Sequence, residues 1–151
     1  MGGYGGSSGK TKDKCYRDTG GKKVTDKNAI AVAEYYIKEG KYVAFLKEMP
    51  QVQRRADLSV EGIHTEVKGT SSQNPSKIAT HIIEGFEQVD ADNYMYPSDT
   101  HRKGRVVILS KHSSLDEAKR IVKEGYDEAV RKGAVNGEVL MFYNGKMYQI
   151  N

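Results

Sequence analysis

Between Ala56 and Lys68, apolar and polar residues alternate on both sides of Glu61-Gly62. Two such segments joined by a two-residue, glycine-containing loop fold back as a β-hairpin. In that register Val60 faces Ile63, Ser59 faces His64, Leu58 faces Thr65 and Asp57 faces Glu66. Opposed residues share a face of the sheet. One face then carries Ala56, Leu58, Val60, Ile63, Thr65 and Val67, and it demands a core. The other carries Asp57, Glu66 and, two residues on, Lys68. Slipping by one residue would turn the apolar set to solvent, so burial of that set fixes where the charges lie.

The rest of the chain supplies elements that fit around this hairpin. Residues 1–24 are turn formers and charges, ending in Gly20-Gly21-Lys22-Lys23. They read as a flexible Gly/Ser/Lys-rich linker with a basic stretch, and the folded domain is expected over 25–151. Thr25 or Asn28 caps a first helix with Ile30, Ala33, Tyr36 and Ile37 at helical spacing, and Gly40 ends it. Tyr42 to Leu46 is a short buried strand. After the hairpin, Asn74-Pro75 opens a second helix with Ile78, Ile82, Phe86 and Val89 on one side. Arg105 to Leu109 is another buried strand. Ser114 and Glu117 form a capping box before a third helix with Ala118, Ile121, Val122, Tyr126 and Val130 inward. Asn144-Gly145 joins two closing strands. The predicted order is α-β-β-β-α-β-α-β-β, an α/β fold (α+β, one mixed sheet) in a single domain of ordinary size.

A formal net charge of +4 leans towards a polyanionic partner. Cys15 is the only cysteine, so no internal disulfide forms. No apolar run is long enough to span a bilayer, and the Gly/Ser-rich start lacks the apolar stretch of a signal peptide, so no membrane partner is expected.

Two carboxylates facing each other across strands repel, and a purely structural hairpin gains by placing unlike charges there. A divalent cation removes that penalty, because hard cations take carboxylate oxygens. Such an ion binds a phosphate oxygen and acidifies a bound water, and a neighbouring lysine steadies the charge that develops on phosphorus. Asp57, Glu66 and Lys68 therefore have the chemistry of phosphodiester hydrolysis. The bland alternative is a solvated strand face on which Lys68 pairs with Glu66.

The stretch RRADLSVEGIHTEVKG resembles the core motif of the PD-(D/E)XK, restriction-endonuclease-like nucleases, with the first acid on one strand and (D/E)-x-K on the next. The flanking helix and strand on either side match that family's common core. More narrowly, residues 42–108 resemble nuclease domains at the C-termini of bacterial contact-dependent growth inhibition toxins. The cues are ADLSVEGIHTEVKG, the polar TSSQNPSKI leading into a helix, and GFEQVDAD at its end. The proline that often precedes the first acid is absent, and Ala56 holds its place.

The resemblance implies a divalent-metal-dependent toxin nuclease (Mg, Mn or Zn) acting on tRNA or DNA, with a lean to tRNA, and blocked by a cognate immunity protein. It implies a domain that is secreted or delivered from the cell surface as part of a larger toxin and acts in the cytoplasm of a target bacterium. Asp57 and Glu66 would ligate the metal, joined by Glu34 from the first helix, and Lys68 would be catalytic. Gln88, on the second helix, would assist. Alternatives are a DNase with the same residues, a metal-independent ribonuclease of the barnase, EndoU or colicin type, and a non-catalytic nucleic-acid-binding module. Ser71 and Ser72 after the motif, Lys77 on the second helix, and Arg102 and Lys103 in an aromatic and basic loop are the expected nucleic-acid contacts.

Overall fold

The computed structural model describes residues 15–47, 56–95 and 103–151, with 92–95 described by backbone alone. Nine elements run in the expected order: α1 (Lys27–Lys38), β1 (Val43–Phe45), β2 (Leu58–Val60), β3 (Ile63–Thr70), α2 (Pro75–Met95), β4 (Gly104–Ser110), α3 (Leu115–Arg131), β5 (Gly137–Tyr143) and β6 (Lys146–Gln149). The six strands form one sheet in chain order. The pairs β2–β3 and β5–β6, joined by short turns, are antiparallel, and so is β1 with β2. The pairs β3–β4 and β4–β5, joined through helices, are parallel.

Each tight hairpin forms because its loop residues accept positive φ. Glu61 and Gly62 sit at 51° and 84°, and Asn144 and Gly145 at 52° and 82°, as a two-residue turn that matches strand twist requires. The β2–β3 register is Val60↔Ile63, Ser59↔His64 and Leu58↔Thr65, as the apolar alternation predicts.

The helices cover both faces of the sheet. On one side α1 buries Ala29, Val32, Ala33 and Tyr36 against Val43, Phe45, Leu58, Val60, Val67 and Val107. On the other, α2 and α3 bury Ile78, Ile82, Phe86, Ala118, Ile121 and Val122 against Val106, Ile108, Val139 and Met141. Val106, Val107 and Ile108 of β4 are fully buried, because a central strand with helices on both sides has no wet face.

Three local expectations change. The α1 cap is Asp26, whose carboxylate accepts from Asn28 N and Ala29 N, rather than Thr25 or Asn28. In the α3 box Ser114 accepts from Glu117 N, but Glu117 reaches back to Ser113. Val130 is exposed, and Ala129 takes its inward place. None of the described helices is long and apolar enough to cross a membrane.

The expected boundary at 24/25 also moves. Tyr16 is 2% exposed, its ring lies 5.2 Å from that of Phe45, and its hydroxyl donates to Glu34 Oε2 at 2.7 Å. Arg17 bridges Lys23, and Asp18 bridges Phe45. The folded unit therefore reaches back at least to Tyr16. A single aromatic anchor among glycines and lysines has no periodicity by which a sequence reading could find it.

Candidate active site

The β2–β3 ladder stops at Leu58↔Thr65. One residue earlier the chain bends, and Asp57 turns its side chain into the gap. Asp57 Oδ2 accepts the Val67 N–H at 2.9 Å, while Asp57 O accepts from Leu46 N at 3.0 Å. A carboxylate thus stands in for a ladder carbonyl. It meets the peptide that joins Glu66 to Val67. It also borders a cleft shared with Ala29 and Phe45 of the α1-side core.

Glu66 and Lys68 lie on the α2 side of β3. They pair with Val106 and Ile108 of β4, and both of those belong to the core under α2 and α3. Glu66 is 1% exposed, and Lys68 Nζ lies 3.3 Å from Glu66 Oε2. The ladder therefore ends one residue short of the Asp57–Glu66 pairing that the alternation predicts. Asp57 approaches the Glu66–Val67 peptide along the strand gap, and the Glu66–Lys68 pair approaches it from beneath α2.

A glycine lets α2 come close here. A Cβ at Gly85 would meet Val106 Cγ2 at 2.8 Å. Two polar residues flank Gly85 on that helix face at i, i+7 spacing, His81 and Gln88. The pKa of His81 is lowered from its ordinary value of 6.5, first by burial and then by the Lys68 charge, with Lys77 adding to the effect and Glu84 opposing it. Burial and the Lys68 charge thus both favour the neutral form of the His81 imidazole. Gln88 holds both polar atoms of its amide buried with no hydrogen-bond partner among the described residues. Nearly all buried polar groups are satisfied, so an orphaned amide is either a cost or a contact awaiting a ligand.

His81 carries a pH prediction. The unfolded chain binds its proton at an ordinary value and the folded chain at a lower one. The stability present above that ordinary value is therefore lost as pH falls through the window below it. His81→Gln should flatten the part of the stability profile below about pH 6.5 while leaving it unchanged near pH 8. Urea midpoints across that range check this, and an identical slope in both proteins would refute it.

The remaining expected residues are scattered. Glu34 lies in the α1 layer, across the sheet from Glu66, and accepts from Tyr16. Ser71 is exposed. Ser72 serves its own loop: its Oγ accepts from Asn74 N at 3.1 Å. Its carbonyl accepts from His112 Nε2 at 2.7 Å. A carbonyl only accepts, so that nitrogen holds the proton, and His112 Nδ1 takes the Ser110 hydroxyl at 2.6 Å. This buried clasp joins the loops after β3 and β4, and residues 40 apart in sequence give no signal of it. Lys77 is exposed near the start of α2. Lys103 lies at the opposite end of that helix. There burial pushes Asp90 above the usual carboxylate range while the Asn136 hydrogen bond and the Lys103 charge pull it back. Arg102 lies outside the described residues.

Among the described residues no three His, Cys, Asp or Glu side chains converge as a ready-made metal nest. Asp57 and Glu66 offer hard oxygen donors of the kind Mg²⁺ and Mn²⁺ take, but two donors leave most of an octahedral shell to water and substrate oxygens. No family model matches the chain, and no curated protein and no solved structure matches it.

Proposed function

We propose that this chain is a nuclease that hydrolyses phosphodiester bonds with a divalent ion held by Asp57 and Glu66 and with Lys68 as the catalytic cation. One observation carries the reading: the Glu66 carboxylate is buried on the sheet face under α2, and the largely shielded Lys68 ammonium lies 3.3 Å from it. Withdrawing two charges from water costs several kcal/mol per ion before their attraction repays it. Apolar residues like the neighbouring Val106 and Ile108 would serve a purely structural role as well or better.

The roles follow from placement. A bound divalent ion would polarise the phosphate and acidify a coordinated water. Lys68 places its ammonium beside Glu66, where it can meet the negative charge that grows on the phosphate oxygens. Asp57 is held at the same peptide by the Val67 N–H, so its carboxylate is oriented before substrate arrives. The Gln88 amide would hydrogen-bond a substrate or water oxygen.

The resemblance noted from the motif favours tRNA as substrate, an immunity protein as inhibitor, and delivery into the cytoplasm of a target bacterium. Plasmid DNA and total tRNA, each incubated with Mg²⁺, Mn²⁺ or Zn²⁺ and then with EDTA, separate the readings. The expected result is metal-dependent cleavage of tRNA. Cleavage of DNA alone would move the substrate to DNA. Cleavage that survives EDTA would replace the mechanism with a metal-independent one, and cleavage of neither would sink the nuclease.

A further inference from the structure

Asp57 also lies at the edge of a cleft of about 560 Å³ on the α1 side of the sheet, lined among others by Lys22, Lys23, Lys47, Asp18, Asp26 and Phe45. That volume is in the range of pockets that enclose a small ligand or a single nucleotide unit. The charges in it are not equivalent. Its three carboxylates are engaged by backbone amides. Asp18 Oδ1 accepts from Gly20 N and Lys22 N. Asp26 Oδ1 accepts from Asn28 N and Ala29 N. Asp57 Oδ2 accepts from Val67 N. The three lysines, by contrast, form no ion pair among the described residues.

The loop that carries the lysines is fixed. Asp18 N donates to Lys22 O and Val24 N to Tyr16 O, each at 2.9 Å, so residues 16–24 fold back on themselves. Thr19 N donates to Phe45 O at 2.9 Å, and Lys47 N donates to Thr19 Oγ1 at 3.0 Å. A Cβ at Gly20 would press on Lys47 Cδ at 2.8 Å, so the glycine leaves room for that long stem. Three ammonium groups outside any ion pair among the described residues are thereby gathered on one rim. The three aspartates beside them balance their formal charge but are held by backbone amides. The loop backbone that carries two of the lysines needs no further ordering.

We infer that this cleft seats the phosphate backbone of the nucleic-acid strand on one side of the cut, with Lys22, Lys23 and Lys47 as its phosphate contacts. The inference rests on the nuclease reading, because Asp57 joins the cleft to the proposed centre. Concavity favours a strand over a protein partner, which would want a broader, flatter contact. Lysine suits the task, since backbone contacts position the strand without reading its sequence.

The test is binding without cleavage. A fluorescein-labelled single-stranded RNA oligonucleotide and its DNA counterpart are titrated in EDTA, with anisotropy read over a range of salt. Wild type is compared with Lys22→Ala/Lys23→Ala/Lys47→Ala and with a charge-matched control, Lys119→Ala/Lys132→Ala/Lys146→Ala, on the far side of the molecule. Three lost phosphate contacts on a single strand should reduce the slope of log K against log salt by about 2 and weaken binding at low salt roughly 10- to 100-fold. The control should change the slope by much less, and circular dichroism should show both variants folded. Equal losses in the two triples would assign the effect to overall charge and overturn the inference. Unchanged binding by the cleft triple, in a protein whose wild type binds and cleaves, would overturn it alone and leave those lysines to an acidic protein partner. A wild type that binds neither probe would overturn it together with the nuclease reading.

Discussion

Glu66→Leu/Lys68→Met should yield a protein at least as stable as wild type and without nuclease activity. Lys68→Ala alone should be both inactive and unstable. The stability half follows from burial. Lys68 and Glu66 side chains are 13% and 2% exposed. Removing the ammonium takes from the buried Glu66 carboxylate a cation 3.3 Å away, at a cost of roughly 3 kcal/mol; the figure is at the low end because Lys68 keeps some water. Replacing both partners with apolar residues of similar size removes the desolvation burden with the charges, and such replacements have been neutral or stabilising by about 1–4 kcal/mol. The activity half follows from chemistry. Losing a group that stabilises transition-state charge costs about 10²–10³-fold in rate, and losing a metal ligand with it costs more. Glu66→Gln, which keeps the shape, should be inactive and folded. Gln88→Leu runs in parallel: removing an orphaned buried amide should raise stability by about 1 kcal/mol and lower the rate. Urea midpoints and initial cleavage rates read all four variants. An active double variant would mean that the centre lies elsewhere. A double variant as unstable as Lys68→Ala would mean that the pair is structural.

How much of this could be read from the chain differs from residue to residue. The β2–β3 register was legible because Leu58, Val60, Thr65 and Val67 have to be buried together, and only one register achieves that. The parallel pairing of β3, β4 and β5 follows from the helices between them, since a helical crossover returns a strand in the same direction. Glu66 and Lys68 on one face follow from period two. The position of Asp57 does not. An aspartate at a strand end can either continue the alternation or turn its carboxylate onto a backbone N–H, and aspartate side chains readily compete for such amides. Here the second option wins: the Asp57 carboxylate takes the Val67 N–H where the β2–β3 ladder has ended. Glu34 misled for a different reason: a helix residue can face the sheet, the solvent or a neighbouring segment. Its partner, Tyr16, lay in a stretch that composition assigned to a linker. The His112 clasp and the gathering of Lys22, Lys23 and Lys47 depend on loops meeting in space, which no local pattern encodes.

Tyr16→Ala is expected to destabilise the domain by about 3–5 kcal/mol, as removal of a buried aromatic ring does. In a chain of this length that lowers the melting temperature on the order of 10 °C. The ring fills space beside Phe45 at the end of the α1-side core. A void there has no second layer to collapse into it, because β1 is the edge strand of the described sheet. Tyr16→Phe separates packing from hydrogen bonding. It keeps the ring and loses the bond to Glu34 Oε2, worth about 1 kcal/mol for a partly exposed acceptor that water can reach. The two variants also divide in function. Residues 17–23 are pinned to the domain through Tyr16 and through the bridges and amides around Phe45. Tyr16→Ala should therefore free Lys22 and Lys23 and weaken oligonucleotide binding even at temperatures where the sheet stays folded, while Tyr16→Phe should bind like wild type. A Tyr16→Ala protein within about 0.5 kcal/mol of wild type, the range of ordinary surface substitutions, would return residues 15–24 to the linker and detach the lysines from the cleft.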